Sequence, residues 1–142
     1  MEAPNIYPCL GYRDARPAIE WLCEAFGFEQ RMVHPGGPER EVAHAELALG
    51  PGLIMLGSAG DEMPAVETDP RTPEGGFDFS RVPFAIYVAV DDVDAHYERA
   101  RAAGAEIVRE LNDTDYGSRE YVTRDLEGNV WSFGTYRPTA ED

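Results

Sequence analysis

Asp115-Tyr116-Gly117-Ser118-Arg119-Glu120-Tyr121-Val122-Thr123-Arg124-Asp125-Leu126-Glu127-Gly128-Asn129-Val130-Trp131-Ser132-Phe133-Gly134-Thr135-Tyr136 is the stretch whose reading decides the fold. Arg119, Tyr121 and Thr123 alternate with Glu120, Val122 and Arg124, the period of two of a half-buried strand. Leu126 to Asn129 supplies turn residues, and Val130 to Phe133 is a short strand rich in aromatic side chains. The stretch is a hairpin. The same plan occurs earlier in the chain, which points to a duplication.

Working outward, the elements repeat in order. Ile6 to Tyr12 is predicted as a strand, Asp14 as the N-cap of a helix, and Gly27 as its stop. Ile19, Leu22, Cys23 and Phe26 fall at i, i+3, i+4 and i+7, so one face of this helix is apolar, with Trp21 offset from the stripe. Strands follow over Phe28 to His34, Glu41 to Leu49 and Leu53 to Leu56, with a turn at Pro35 to Pro38. The plan restarts with a strand over Phe84 to Val90 and a helix capped by Asp92, with Val93, Tyr97 and Ala100 facing inward. Gly104 ends that helix, and a strand follows over Ala105 to Leu111. Asp92 follows Asp14 by 78 residues, while Gly104 follows Gly27 and Gly134 follows Gly57 by 77. Each half reads βαβββ, giving a first module at 5–58 and a second at 83–136. Between them lies an acidic, Pro/Gly-rich linker at 59–82, a surface crossing or a lid. Phe77 and Phe79 would anchor it, over a pocket or against the nearest sheet edge.

A chain of 142 residues is one domain or two intimate halves, long enough to bury a core without staples. The net charge of −15 argues against nucleic acid, whose phosphates need basic patches, and would steer a cationic ligand inward. All 12 basic residues are Arg and the chain is rich in Ala, Gly and Pro, so solubility and coding bias account for the same charge. Cys9 and Cys23 have no metal-binding spacing and read as buried thiols of a reducing compartment. No basic-then-apolar leader opens the chain, and the apolar run Val82 to Val90 is too short to span a bilayer. The expectation is a cytoplasmic protein with no membrane partner.

Tyr116-Gly117-Ser118-Arg119 and the run from Arg124 to Gly134, set in paired βαβββ modules, resemble the vicinal oxygen chelate superfamily. That superfamily includes glyoxalase I, extradiol dioxygenases and the fosfomycin and bleomycin resistance proteins. The resemblance covers Ile6 to Tyr136, with Leu126 standing where the turn usually has Pro. It implies an α+β fold in which two tandem βαβββ modules form a cup-shaped, eight-stranded mixed sheet. The helices lie on the convex side, the ligand or metal on the concave side, and homodimers are common. Enzymatic members hold a divalent metal with His and Glu from the first and fourth strands of each module. Carried over, those positions are Tyr7, Met55, Ala85 and Ser132, and none of their sequence neighbours is a ligand either. The resemblance therefore implies a chain without the usual metal centre and without a cofactor, which leans away from an enzyme.

By the same-face rule the cup is lined by Tyr7, Cys9, His44, Glu46, Met55, Tyr87, Arg119, Tyr121, Thr123 and Ser132. His44 and Glu46 read either as a ligand pair or acid–base couple, or as a polar pair tied to Arg119 across the sheet. Arg119 reads either as an anion contact or as a brace for the last hairpin. Cys9 is either a cavity thiol or a small core residue. His34 and His96 are expected in solvent, and Trp131, opposite Ser132 by parity, beneath a helix. The leading reading is a metal-independent small-molecule-binding protein of the bleomycin-resistance type, a homodimer sequestering a cationic or aromatic compound. The alternative is a lyase, isomerase or dioxygenase of the superfamily with a displaced metal or none, carried by His44, Glu46, Tyr7 and Tyr121. A third is an interaction module whose cup is filled by its own side chains.

Overall fold

The computed structural model describes residues 3–37, 41–59, 69–74 and 76–140. The chain divides into two compact units, Met1–Ala65 and Val66–Asp142. The first carries β1 (Cys9–Tyr12), α1 (Ala15–Phe26), β2 (Glu29–Pro35), β3 (Val42–Leu49) and β4 (Gly52–Ser58). The second carries β5 (Ile86–Ala89), α2 (Val93–Ala102), β6 (Glu106–Asp113), β7 (Arg119–Arg124) and β8 (Val130–Gly134). The two sheets have the same topology, β1-β4-β3-β2 and β5-β8-β7-β6. In each, the first strand runs parallel to the last and the other neighbours are antiparallel. This is the βαβββ plan expected from the repeated caps and stops.

Local chemistry explains most of the elements. Gly27 sits at φ 87°, a left-handed conformation that costs a glycine little, and its N–H closes onto the carbonyls of Cys23 and Leu22. Asp92 caps α2 by accepting from the Ala95 N–H, whereas Asp14 makes no side-chain capping bond. Ala15, Ala18, Ile19, Leu22, Ala25 and Phe26 are buried along α1, and Val93, Tyr97 and Ala100 along α2. Both leading strands begin later than predicted, β1 at Cys9, directly after Pro8, which has no N–H to give a ladder, and β5 at Ile86. Ile6 and Phe84 are left exposed.

The closing hairpin is clamped at its turn. The buried Asp125 carboxylate accepts from the backbone N–H groups of Glu127 and Asn129 and from Trp131 Nε1, each at 3.0 Å. Trp131 is fully buried on the helix side of β8, as parity with Ser132 requires. Phe133 stacks on the same side with Tyr121, their ring centroids 5.4 Å apart. The opposite face carries a small cluster of Val82, Val108, Val122 and Val130, with Phe77 and Ala85 packed against it.

Residues 60–68 and 75 of the predicted linker lie outside the described residues. The part from Asp69 belongs to the second unit and is tied to it. Pro70 is buried, Arg71 bridges to Phe77, and a single 3-10 turn follows over Phe79–Arg81. Arg71 pairs with Asp69 at 2.8 Å and with Glu106 of β6 at 2.7 Å, and the side-chain and backbone hydrogen bonds from Arg71 hold the Asp69 carboxyl well below its ordinary range.

Candidate functional site

Strand register positions the candidate side chains. Val122 faces Ser132 and Glu120 faces Gly134 across the β7–β8 ladder, while Tyr87 on β5 pairs with Ser132 from the other side. Paired residues share a face, so Tyr87, Ser132, Val122 and Glu120 lie away from α2. Here a cavity of about 330 Å³ is lined by Phe79, Ala85, Tyr87, Tyr116, Glu120, Ser132, Tyr136 and Pro138.

Its polar groups are positioned. The Tyr116 hydroxyl donates to both oxygens of Glu120, at 2.9 Å each, and the Tyr116 ring packs edge-on against Tyr136. The Tyr87 hydroxyl donates to the Tyr136 carbonyl at 2.7 Å. Burial, and then the hydrogen bond to Glu120, push the Tyr116 hydroxyl above its ordinary pKa, while burial with the nearby Glu120 charge does so for Tyr87. Both rings therefore present neutral O–H groups at physiological pH. Gly134 makes the arrangement possible, since a Cβ there would stand 2.6 Å from Glu120 Cγ and 2.8 Å from the Tyr87 hydroxyl.

Of the residues predicted to line the site, Tyr87 and Ser132 meet in this cavity. Arg119, Tyr121 and Thr123 are on the opposite face, and this corrects the parity of the prediction. Tyr121 is fully buried with its hydroxyl 2.6 Å from His96 Nδ1, and Thr123 is fully buried and donates to the Glu106 carbonyl at 2.8 Å. Arg119 pairs with Asp94 of α2 at 2.7 Å and with Asp113 at 3.2 Å, the bracing role rather than an anion contact. His96 is not in open solvent: it is half-buried, its ring 4.1 Å from Phe133 and bonded to Tyr121. Tyr116, Glu120 and Tyr136 were missed, whereas Phe79 lines the cavity, the pocket alternative read for it. Period alone could not find Glu120, because which β7 residues face Ser132 depends on the register of the hairpin. Glu120 and Val122, rather than Arg119, Tyr121 and Thr123, accompany Ser132.

In the first unit, Cys9 pairs with Met55, and Met55 faces Glu46 across β3–β4. A second cavity of about 280 Å³ is lined by Cys9, Gly11, His44, Met55 and Gly57, among others. His44 Nε2 and Glu46 Oε2 are 2.9 Å apart. Glu46 thus pairs with its own strand neighbour, and Arg119 with two aspartates of the second unit. Cys9 is exposed and Cys23 half-buried, so neither is the core thiol expected from sequence. Tyr7 precedes β1 and donates to the Pro4 carbonyl.

Two βαβββ units of the same topology, each with a sheet face bearing a cavity, define the fold class of the chain. The chain belongs to the Glyoxalase/Bleomycin resistance protein/Dioxygenase superfamily, whose model matches residues 7–133. It is 34% identical over 131 residues to Mb0911c of Mycobacterium bovis, covering 92% of this chain and 82% of that protein. It resembles the crystal structure of TioX from Micromonospora sp. ML1 at 34% identity and a TM-score of 0.70, covering 96% of this chain and 98% of that one. The fold is also that of the fosfomycin resistance protein FosX of Listeria monocytogenes, at 14% identity and a TM-score of 0.63, covering 96% and 93% of the two chains.

The positions mapped for the divalent metal of enzymatic members, Tyr7, Met55, Ala85 and Ser132, carry no imidazole or carboxylate. Where first and fourth strands pair, one unit offers Cys9 with Met55 and the other Tyr87 with Ser132, two residues beyond the mapped Tyr7 and Ala85. Among the described residues no three of His, Cys, Asp and Glu stand together as a ligand set. Thioether and hydroxyl are poor substitutes for the imidazoles and carboxylates that a borderline or hard cation needs, and a single thiol does not complete a set. No helix among the described residues is long and apolar enough to cross a membrane.

Proposed function

We propose that this chain is a metal-independent small-molecule-binding protein of the superfamily, sequestering a cationic or aromatic compound as an antibiotic-resistance protein does. The observation that carries this reading is the second unit's cavity, whose lining joins Phe79, Tyr87, Tyr116 and Tyr136 with Glu120. Aromatic walls offer stacking and cation–π attraction, worth about 0.5–2 kcal/mol per contact, and a carboxylate inside them selects positive charge. The net charge of −15 raises the local concentration of such a ligand and its encounter rate. The working form is a cytoplasmic homodimer, checked by light scattering of the purified protein.

The test is thermal denaturation with saturating 9-aminoacridine and, separately, bleomycin. The expected result is a rise in Tm for the wild-type chain that is lost in a Phe79→Ala, Tyr87→Leu variant. An unchanged wild-type Tm with both compounds would overturn the sequestration reading. The His44–Glu46 couple favours a second reading, an enzyme of the superfamily using a displaced metal. Stoichiometric Mn, Fe, Ni or Zn surviving dialysis would select it.

A further inference from the structure

Resting on the sequestration reading of the second unit's cavity, we propose that its ligand is an aromatic amine bound as the ammonium and carrying a hydrogen-bond acceptor, which Ser132 selects. Ser132 lines the cavity at 6% exposure, and among the described residues no group hydrogen-bonds its hydroxyl. Buried hydroxyls are otherwise paired, because a hydrogen bond left unmade there costs stability. A ligand that covered Ser132 with apolar atoms would strip water from the hydroxyl and return nothing. A ligand with an acceptor restores the bond. Ladder pairing with Tyr87 on one side and Val122 on the other holds Ser132 between two strands, so the sheet fixes its place.

The neighbouring hydroxyls have spent their hydrogens. Tyr87 donates its one hydroxyl hydrogen to the Tyr136 carbonyl at 2.7 Å, and Tyr116 donates its own to both oxygens of Glu120 at 2.9 Å each. Tyr136 itself is exposed, so water can serve its hydroxyl. What Tyr87, Tyr116 and Glu120 retain is lone pairs, and this part of the cavity therefore accepts. A primary or secondary ammonium donates to the carboxylate in a charge-assisted bond, whereas a quaternary ammonium brings the same charge and no hydrogen. The acceptors gather over Gly134: the Tyr87 hydroxyl and Glu120 Oε2 stand 2.8 Å and 3.1 Å from the point its Cβ would occupy. Gly134 and Ser132 are two residues apart on β8, roughly 6–7 Å along the strand. The ligand thus carries its ammonium and its acceptor a few bonds apart, on an aromatic body suited to the rings that line the cavity.

Isothermal titration calorimetry of the full chain at neutral pH tests this with three probes, and with 9-aminoacridine as the reference. N-(2-aminoethyl)benzamide has both the ammonium and a carbonyl, 4-phenylbutylamine lacks the carbonyl, and (2-benzamidoethyl)trimethylammonium lacks the ammonium hydrogens. The wild-type chain should bind the first about 3–10-fold more tightly than either of the others. Ser132→Ala should erase its advantage over 4-phenylbutylamine and leave that over the quaternary probe, while Glu120→Gln should shrink the second advantage instead. Each comparison is a ratio within one protein, so a general loss of stability does not imitate it, and the wild-type ratios stand however a variant folds. Equal wild-type affinities for the two primary amines, or an advantage that survives Ser132→Ala, would overturn the role of Ser132. Equal affinities for the ammonium and quaternary probes would overturn the requirement for N–H hydrogens. Binding of 9-aminoacridine without binding of N-(2-aminoethyl)benzamide would overturn this proposal alone, whereas a chain that bound neither would take the sequestration reading down with it.

Discussion

Replacing Glu120 by Gln removes a charge and little else. The amide keeps the shape of the carboxylate beneath Tyr116 and above Gly134, and it can still accept one of the two 2.9 Å bonds from the Tyr116 hydroxyl. A hydrogen bond to a charged group contributes about 1.5–3 kcal/mol net, against about 0.5–1.5 for a neutral one. Both Glu120 oxygens are already engaged by Tyr116, so a cation shares them, and the lower end of the difference applies. The expected loss for 9-aminoacridine, a planar cation at neutral pH, is about 1 kcal/mol, or roughly fivefold in Kd. Ligand fluorescence, read as quenching on titration, measures it. Uncharged acridine should bind the two proteins equally. Wild-type affinity for the cation should fall as salt rises from about 0.05 to about 0.5 M, and that of the variant, which keeps the rest of the acidic charge, should fall less steeply. Tyr116→Phe, which removes the competing donor, should tighten cation binding. Equal losses for the charged and neutral dyes, or no loss for either, would refute the role given to the carboxylate.

Other expectations concern the frame around the cavity. Asp125→Ala withdraws the acceptor of two backbone N–H groups and of the buried Trp131 indole, and should cost roughly 3 kcal/mol, a fall in Tm of roughly 6–12 °C. A loss within experimental error would show that the turn holds without its clamp. Gly134→Ala places a methyl 2.6 Å from Glu120 Cγ, so urea denaturation should register a loss of about 1–2 kcal/mol and dye binding should weaken with it. For alkaline pH the sign follows from the tyrosines. Burial holds Tyr87 and, more strongly, Tyr121 above their ordinary pKa of 10.0, so above pH 10.0 the unfolded chain loses those protons first. Stability present below pH 10.0 is then lost as pH rises, and Tyr121→Phe should flatten the fall in Tm measured from about pH 9 to about pH 11. A slope unchanged by that substitution would exclude Tyr121 as its source.

The linear sequence determined what is local. Strand alternation, the helix stripe of Ile19, Leu22 and Phe26, the glycine stops at Gly27 and Gly104 and the offset between halves depend on nearest-neighbour conformational preference and on period. These gave two βαβββ units without reference to any contact. The starts of β1 and β5 lie at Cys9 and Ile86 rather than at Ile6 and Phe84, because apolar composition continues ahead of the paired residues.

Only the tertiary structure decided which side chains share a face and which partners they take. Arg119, Tyr121 and Thr123 look as suitable for a pocket as Glu120 does. One residue of register in the hairpin sends the first three to α2 and brings Glu120 to Gly134 and Tyr87. Tyr116 and Tyr136, outside the strands, have no period to reveal their side, and Phe79 reaches the cavity only because Asp69 and Arg71 tie its segment to β6 and β7. Charged partners are also invisible in sequence: Arg119 has aspartates from α2 and β6, and His44 has its own strand neighbour. Period is a property of the backbone and can be read along the chain, whereas partnership is set by register, which closes only when the strands meet.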